Sequence, residues 1–138
     1  MSAASSQKAI TITISLLKHK NPQTIELLKK FLTFIPNPNH IKDVLTTAVI
    51  ELIYVCPLSA LWLFQNPTVL EPEIQVRKII SEEIIHKVIS WGYTLDDFHF
   101  TAHQKLEVSE RIQENLFSCK RTPADEAILS LIRALLQQ

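Results

Sequence analysis

The most apolar stretch of the chain runs from Asn37 to Phe64, and the need to bury it constrains the fold more than any other feature. On a helical wheel, where consecutive residues are about 100° apart, one broad face of this stretch is apolar. The residues on that face are Val44, Leu45, Ala48, Val49, Leu52, Ile53 and Val55. The opposite edge carries Asp43, Thr47, Glu51 and Tyr54. The pattern predicts a helix that is buried in protein along one face and approaches water along the other.

The segment from Val44 to Phe64 is also long enough to cross a membrane, which takes about 20 apolar residues. A carboxylate at the centre of a span, such as that of Glu51, costs about 2.5 to 3.5 kcal/mol. Pro57 would break the helix that a span requires, and no Arg or Lys follows the segment before Arg77. We therefore predict a buried helical hairpin and no membrane span.

The length and composition of the chain are typical of one globular domain. With 138 residues, of which 46% are hydrophobic, we expect residues 1–138 to form a single domain, with a flexible stretch at residues 1–6. The single glycine argues against the glycine-rich loops that bind phosphates and dinucleotides. Nothing before Lys8 resembles a secretory signal, and Cys56 and Cys119 are too few for a disulfide framework or a zinc pattern. The expected compartment is the cytoplasm.

Proline positions divide the chain into helical segments. At Asn21-Pro22, a side chain able to cap a helix precedes a proline, which is well suited to the first helical position. A boundary residue precedes a proline again at Asn37-Pro38, Cys56-Pro57, Asn66-Pro67, Glu71-Pro72 and Thr122-Pro123. These positions predict about six or seven helices, among them one from Pro72 to Trp91 and a last one from Pro123 to Gln137.

The apolar faces of these helices predict how they pack. In the helix after Pro22, the wheel turns one half toward the core, made of Leu27, Leu28, Phe31, Leu32, Phe34 and Ile35. The helix after Pro72 is apolar over more than half of its circumference, and its polar arc contains Gln75, Glu82, Glu83, His86 and Ser90. The last helix is equally apolar, so it needs cover from the core or from a second subunit.

Residues 9–19 give conflicting signals. Isoleucine alternates with Thr or Ser at the start of this segment, which is typical of a strand, whereas a helical stripe is formed by Ile10, Ile14 and Leu17. A strand needs a partner, and the other alternating pieces, near Phe98–Ala102 and Leu106–Val108, are weak. We therefore predict a helix here and an all-α fold overall.

Helices joined by short, proline-marked links predict antiparallel helical hairpins. This architecture resembles the stacked hairpins of the armadillo and HEAT class. The resemblance is one of architecture only, because no residue pattern repeats every ~40 residues. A closed orthogonal bundle fits almost as well.

Two motifs have spacings that metal sites use. On a helix, His99 and His103 would face one way and could bind a metal ion with one nearby carboxylate, Asp96 or Asp97. The motif lacks the Glu that follows the first His in zinc proteases, and the two aspartates suit helix capping better. Glu83-x-x-His86 has the spacing of di-iron bundles, but such a site needs two of these motifs and two more glutamates. We predict no bound metal and no cofactor.

The sequence contains no recognisable catalytic arrangement, so we do not expect an enzyme. Cys56 lies in an apolar run with no histidine nearby in sequence, and Cys119, although followed by Lys120 and Arg121, fits an incidental thiol. Glu51 is the carboxylate best placed for partial burial, but it has no visible second group for acid–base chemistry. We expect its side chain to form a hydrogen bond with a Tyr or Thr across the helix edge.

The segment from Thr101 to Cys119 predicts a helix with a thinner apolar arc, which includes Lys105, Ser109 and Gln113. Polar groups are costly when buried without partners, so this mixed face either lies shallowly at the surface or contacts another molecule. We therefore favour a helical protein-interaction or adaptor module. Its partner would be another protein or a second copy, and its interaction face would be Lys105, Ser109 and Gln113.

Charge is distributed unevenly along the chain. Residues 1–43 carry six lysines against Glu26 and Asp43, a net charge of +4, while the remainder carries 8 basic and 12 acidic residues, a net charge of −4. The two parts can therefore attract one another, within the fold or between copies.

Two other functions are alternatives to the interaction module. A nucleic-acid-binding regulator would use the basic patch from Lys18 to Lys30. The chain has no net positive charge, however, and no aromatic residue is spaced for base stacking among these lysines, so we do not expect nucleic acid. A metal-dependent helical enzyme would use His99 and His103.

Overall fold

A computed structural model describes residues 3–90, 98–99, 107–108 and 122–136. It is all-helical in architecture, as predicted. The helices are α1 (Ala3–Leu17), α2 (Pro22–Leu32), α3 (Pro38–Val55), α4 (Pro57–Gln65), α5 (Val76–Ser90) and α6 (Pro123–Leu136), with a 3₁₀ turn at Pro67–Leu70. Two short strands, β1 (Phe98–His99) and β2 (Glu107–Val108), form an antiparallel pair.

Proline occupies the first position of α2, α3 and α6, as predicted, and also that of α4 and of the 3₁₀ turn, where the sequence predicted boundaries. The side chains of Asn21 and Asn37 cap α2 and α3 by accepting hydrogen bonds from backbone N–H groups, at 2.8 and 2.9 Å. The prediction was wrong at Pro72. Helix α5 begins at Val76, because the chain first completes the 3₁₀ turn at Pro67–Leu70 and a further turn at residues 71–73.

Helix α3 lies at the centre of the bundle, where it contacts α1, α4, α5 and α6. Six of the seven residues predicted for its buried face are buried: Val44, Leu45, Ala48, Val49, Leu52 and Ile53. The seventh, Val55, is 56% exposed because the helix ends there and the chain turns at Cys56-Pro57.

The remaining helices cover α3 and form one hydrophobic core with it. Helix α6 packs on both α3 and α4, and its buried residues are Asp125, Ile128, Leu129, Leu131 and Ile132. In an open stack each hairpin contacts only its neighbours along the chain. Helix α3 instead contacts four other helices. Of the two predicted architectures, this favours the closed bundle over the open stack. In the part of the chain that the structure describes, no helix combines the length and apolarity needed to cross a membrane.

The conflict over residues 9–19 is resolved as a helix through Leu17, as predicted. The hydroxyls of Thr11, Thr13 and Ser15 each donate a hydrogen bond to the carbonyl four residues earlier, at 2.8 to 3.0 Å. Thr13 is therefore fully buried without an unpaired donor. The alternation that is typical of a strand is accommodated because a helix satisfies its hydroxyls locally.

Helix α2 is rotated relative to its prediction. Ile25, Leu28 and Leu32 face the interior, and Ile35 beyond the helix end is buried as well. Two residues assigned to the core, Leu27 and Phe34, are 57% and 84% exposed. The wheel placed them on a broad apolar half, but α2 packs mainly on α1 and the 3₁₀ turn, which together cover a narrower arc.

The strand pair contradicts the helix that was predicted from Thr101 to Cys119 at Glu107 and Val108, and the rest of that segment lies outside the described residues. Val108 and Glu107 pair with Phe98 and His99, so these four residues are extended. Both strands coincide with the alternating pieces that the sequence showed only weakly. The predicted interaction face, Lys105, Ser109 and Gln113, lies outside the described residues.

Candidate functional site

An open depression of about 310 Å³ lies between α3 and α5. It is lined by Thr46, Ile50, Ile79, Glu82, Glu83 and His86, and we call it the α3–α5 groove. Thr46 and Ile50 are one helical turn apart on α3, while Ile79, Glu83 and His86 follow one another on one side of α5. The groove therefore combines two isoleucines with two carboxylates and an imidazole.

Tyr54 joins α3 to α5 beside this groove. Its hydroxyl donates a hydrogen bond of 2.7 Å to Oε1 of Glu83. Burial raises the pKa of Tyr54, and the hydrogen bond to Glu83 together with the negative charge there raises it further. The hydroxyl therefore keeps its proton and stays a donor to the carboxylate. Glu51 is half-buried, as predicted, but the Tyr54 hydroxyl bonds to Glu83 rather than to Glu51.

The prediction that Glu82, Glu83 and His86 lie on a polar arc of α5 agrees with their exposure. Glu82 and His86 are exposed, and Glu83 is half-buried through its contact with Tyr54. Within the described residues, no group of three or more His, Cys, Asp or Glu side chains could hold a metal ion. Glu83 and His86 both line the groove.

The histidine pair proposed for metal binding is not described as a unit. The prediction placed His99 and His103 on one face of a helix. His99 lies instead in strand β1, so the prediction is wrong for this residue. His103 lies outside the described residues. A metal site that includes both stays a prediction.

The ends of α5 and α6 are joined by Asp125. Its carboxylate accepts a hydrogen bond from the backbone N–H of Thr122, and its own N–H donates to Oγ1 of Thr122, both at 3.2 Å, which is a capping box with Asp in place of Glu. Lys87 on α5 forms an ion pair of 3.2 Å with the same carboxylate. Burial opposes ionisation, but the bonds from Thr122 and Lys87 outweigh it and hold the pKa of Asp125 below its usual range.

The exposed face of α2 is a second candidate site. Gln23, Leu27, Lys30 and Phe34 are all exposed and are spaced four, three and four residues apart, so they form one line on the helix surface, which we call the α2 stripe. After Leu32 the backbone tightens into a short turn that keeps Phe34 close to this line, with its N–H bonded to the carbonyl of Phe31 at 3.1 Å. The stripe presents two large apolar side chains on either side of one positive charge.

The basic residues near this stripe are not neutralised by the fold. Lys18, Lys20 and Lys30 are exposed, and Lys29 is half-buried. In the part of the chain that the structure describes, none of these four lysines forms an ion pair with a carboxylate. These lysines are therefore available to acidic groups of another molecule.

Cys56 has a structural role at the α3–α4 corner. Its Sγ lies 3.1 Å from the hydroxyl of Ser59, which donates to the carbonyl of Lys18 at 3.1 Å. Because that hydroxyl proton is used, the thiol is the donor to Ser59. The pair connects the end of α1 to the start of α4, and Cys119 lies outside the described residues.

Comparisons of the chain with protein-family models, with curated proteins and with solved structures found no match. What the protein does must therefore be inferred from its own surfaces. Of these, the α2 stripe was missed because its apolar residues were assigned to the core. The hydrogen bond between Tyr54 and Glu83 was missed because the two residues are 29 positions apart and no local pattern connects them.

Proposed function

We propose that this protein is a helical protein-interaction module that binds its partner through the α2 stripe. The observation that carries the proposal is Phe34, an aromatic side chain that is 84% exposed, more than any other large apolar residue that the structure describes. Single exposed apolar residues are common, but here Leu27 lies on the same line, about two helical turns away.

The composition of the stripe supports a protein partner. Aromatic residues supply large contact areas at little cost in side-chain entropy, and they dominate the energetics of many interfaces. Lys30 lies between Leu27 and Phe34, so a partner with an acidic group between two apolar contacts would match all three. Such a surface can bind without any catalytic residue. We retain Lys105, Ser109 and Gln113 as a second predicted interaction face.

Affinity capture from an extract of the native organism tests this function. The bait is the full chain, as wild type and as the variant Phe34→Ser. Removing a central aromatic residue from an interface costs about 1.4 to 2 kcal/mol or more, so recovery of true partners should fall at least about tenfold.

The matched control is Ile12→Ser. Ile12 is also apolar and 42% exposed, but it lies on α1 and outside the stripe. Proteins that are lost with Phe34→Ser and retained with Ile12→Ser bind through the stripe. If both variants recover the same proteins in the same amounts as wild type, the α2 stripe is not the interaction surface.

A nucleic-acid-binding function is the second candidate, and two observations favour it. Lys18, Lys20 and Lys30 are exposed without acidic partners in the described structure, and Phe34, which the sequence placed in the core, is available for stacking. Retention on a heparin column that weakens steeply with salt would support this function. Elution with the void volume at low salt would remove it.

A further inference from the structure

We propose that the partner of the α2 stripe is the α3–α5 groove of a second copy of this chain. The inference rests on the proposed interaction function of the stripe and names its occupant. Leu27 and Phe34 of one copy would contact Ile50 and Ile79 of the other, and Lys30 would lie against Glu82.

The two surfaces agree in spacing. Leu27 and Lys30 are three residues apart on α2, and Ile79 and Glu82 have the same spacing on the α5 side of the groove. A helix laid along α5 can therefore place Leu27 on Ile79 and Lys30 against Glu82. Phe34, in the turn that follows α2, is left to contact Ile50 on the α3 side of the groove.

Charge complementarity gives the contact its direction. The stripe carries the positive charge of Lys30, and the groove carries the negative charges of Glu82 and Glu83. Within one copy, neither Lys30 nor Glu82 forms an ion pair with another described residue. Glu83 is already bonded to Tyr54, so Glu82 is the exposed carboxylate that is free to accept a cation from outside.

The contact joins two different surfaces. A reciprocal arrangement, in which each copy inserts its stripe into the groove of the other, closes a dimer, whereas a one-way contact adds copies in sequence. Both arrangements raise the molar mass in solution above the 15.8 kDa of one chain.

Light scattering on the purified full chain, from about 10 µM to about 1 mM, tests the proposal. Wild type should show a mass that rises above 15.8 kDa with concentration and falls again as salt screens the charges. Lys30→Glu and Glu82→Lys each bring like charges together, so each variant alone should associate at least about tenfold more weakly. Both positions are exposed, so circular dichroism should show both variants folded.

An equimolar mixture of the two charge variants is the decisive sample. In the mixture, the acidic stripe of Lys30→Glu meets the basic groove of Glu82→Lys, while the reverse contact is the native one. Association should therefore return to within about twofold of wild type. A structural role of either residue would not be rescued by mixing two separate chains.

Three results would overturn the proposal: a wild-type mass of 15.8 kDa at every concentration, association that neither charge variant weakens, or no recovery in the mixture. The proposed interaction function is judged separately. If wild type is monomeric but Phe34→Ser still loses captured partners, the stripe binds a different protein and only the self-association is wrong. If Phe34→Ser affects neither measurement, both proposals fail.

Discussion

Helices α2 and α3 have similar apolar patterns in sequence and different roles in the structure. In α3, six of seven residues assigned to the buried face are buried, because four helices surround it. In α2, the residues assigned to the core divide between the interior and the surface. Leu28 is fully buried, while its neighbour Leu27 is 57% exposed.

The difference lies in how much cover each helix receives. A helical wheel predicts which residues of a helix are suited to burial. The neighbouring helices determine how many of those residues are buried. Helix α2 packs mainly on α1 and a short 3₁₀ turn, so part of its apolar surface is left for a partner. An apolar residue at the edge of the bundle is therefore a better candidate for binding than the same residue in α3.

The largest contrast between the two helices is expected for a buried charge. Leu52→Asp places a carboxylate in the fully buried face of α3, which should cost more than about 4 kcal/mol and unfold the protein. Leu27→Asp on α2 should remain folded, since its side chain reaches water. Circular dichroism with thermal melting distinguishes the two, and a cooperatively folded Leu52→Asp protein would show that α3 is not the centre.

A smaller contrast is expected within α2 itself. Leu28→Ala leaves a cavity under the helix and should lower the free energy of unfolding by about 2 to 5 kcal/mol. Leu27→Ala, one residue away, should change it by less than about 0.5 kcal/mol. Urea titration measures both. Equal losses for the two variants would mean that α2 is rotated differently from the structure.

The joint between α5 and α6 predicts that stability falls at acid pH. The folded pKa of Asp125 lies below the usual 3.8, so its stabilisation is present above pH 3.8 and is lost as the pH falls through the folded pKa. Asp125→Asn should destabilise the protein by about 1 kcal/mol at pH 7, and the difference from wild type should shrink toward low pH. The control is Glu126→Gln, an exposed acid in the same helical turn. A difference that does not change with pH would exclude ionised Asp125 as the cause.

The sequence predicted the parts of the fold that depend on local chemistry. Asparagine and proline pairs placed the starts of α2 and α3, and the wheel found the buried face of α3. The start of α5 was missed, because a proline after a boundary residue opens a turn as readily as a helix, and Pro72 lies in a turn. The strand at Phe98–His99 was passed over because its alternation is short.

The candidate sites depend on tertiary contacts, which local patterns do not contain. Glu82, Glu83 and His86 were placed on a polar arc, but the groove exists only because α3 brings Thr46 and Ile50 beside them. Phe34 was assigned to the core because hydrophobicity was the only guide to its position. Its exposure is the finding from which the proposed function follows.

The most direct measurement is a urea titration of Phe34→Ser alongside its mass by light scattering. The free energy of unfolding should stay within about 0.5 kcal/mol of wild type, because the side chain packs on nothing that the fold needs, while association with a second copy is lost. A loss of more than about 2 kcal/mol would instead show that Phe34 is packed in the core, and the α2 stripe would not be a binding surface.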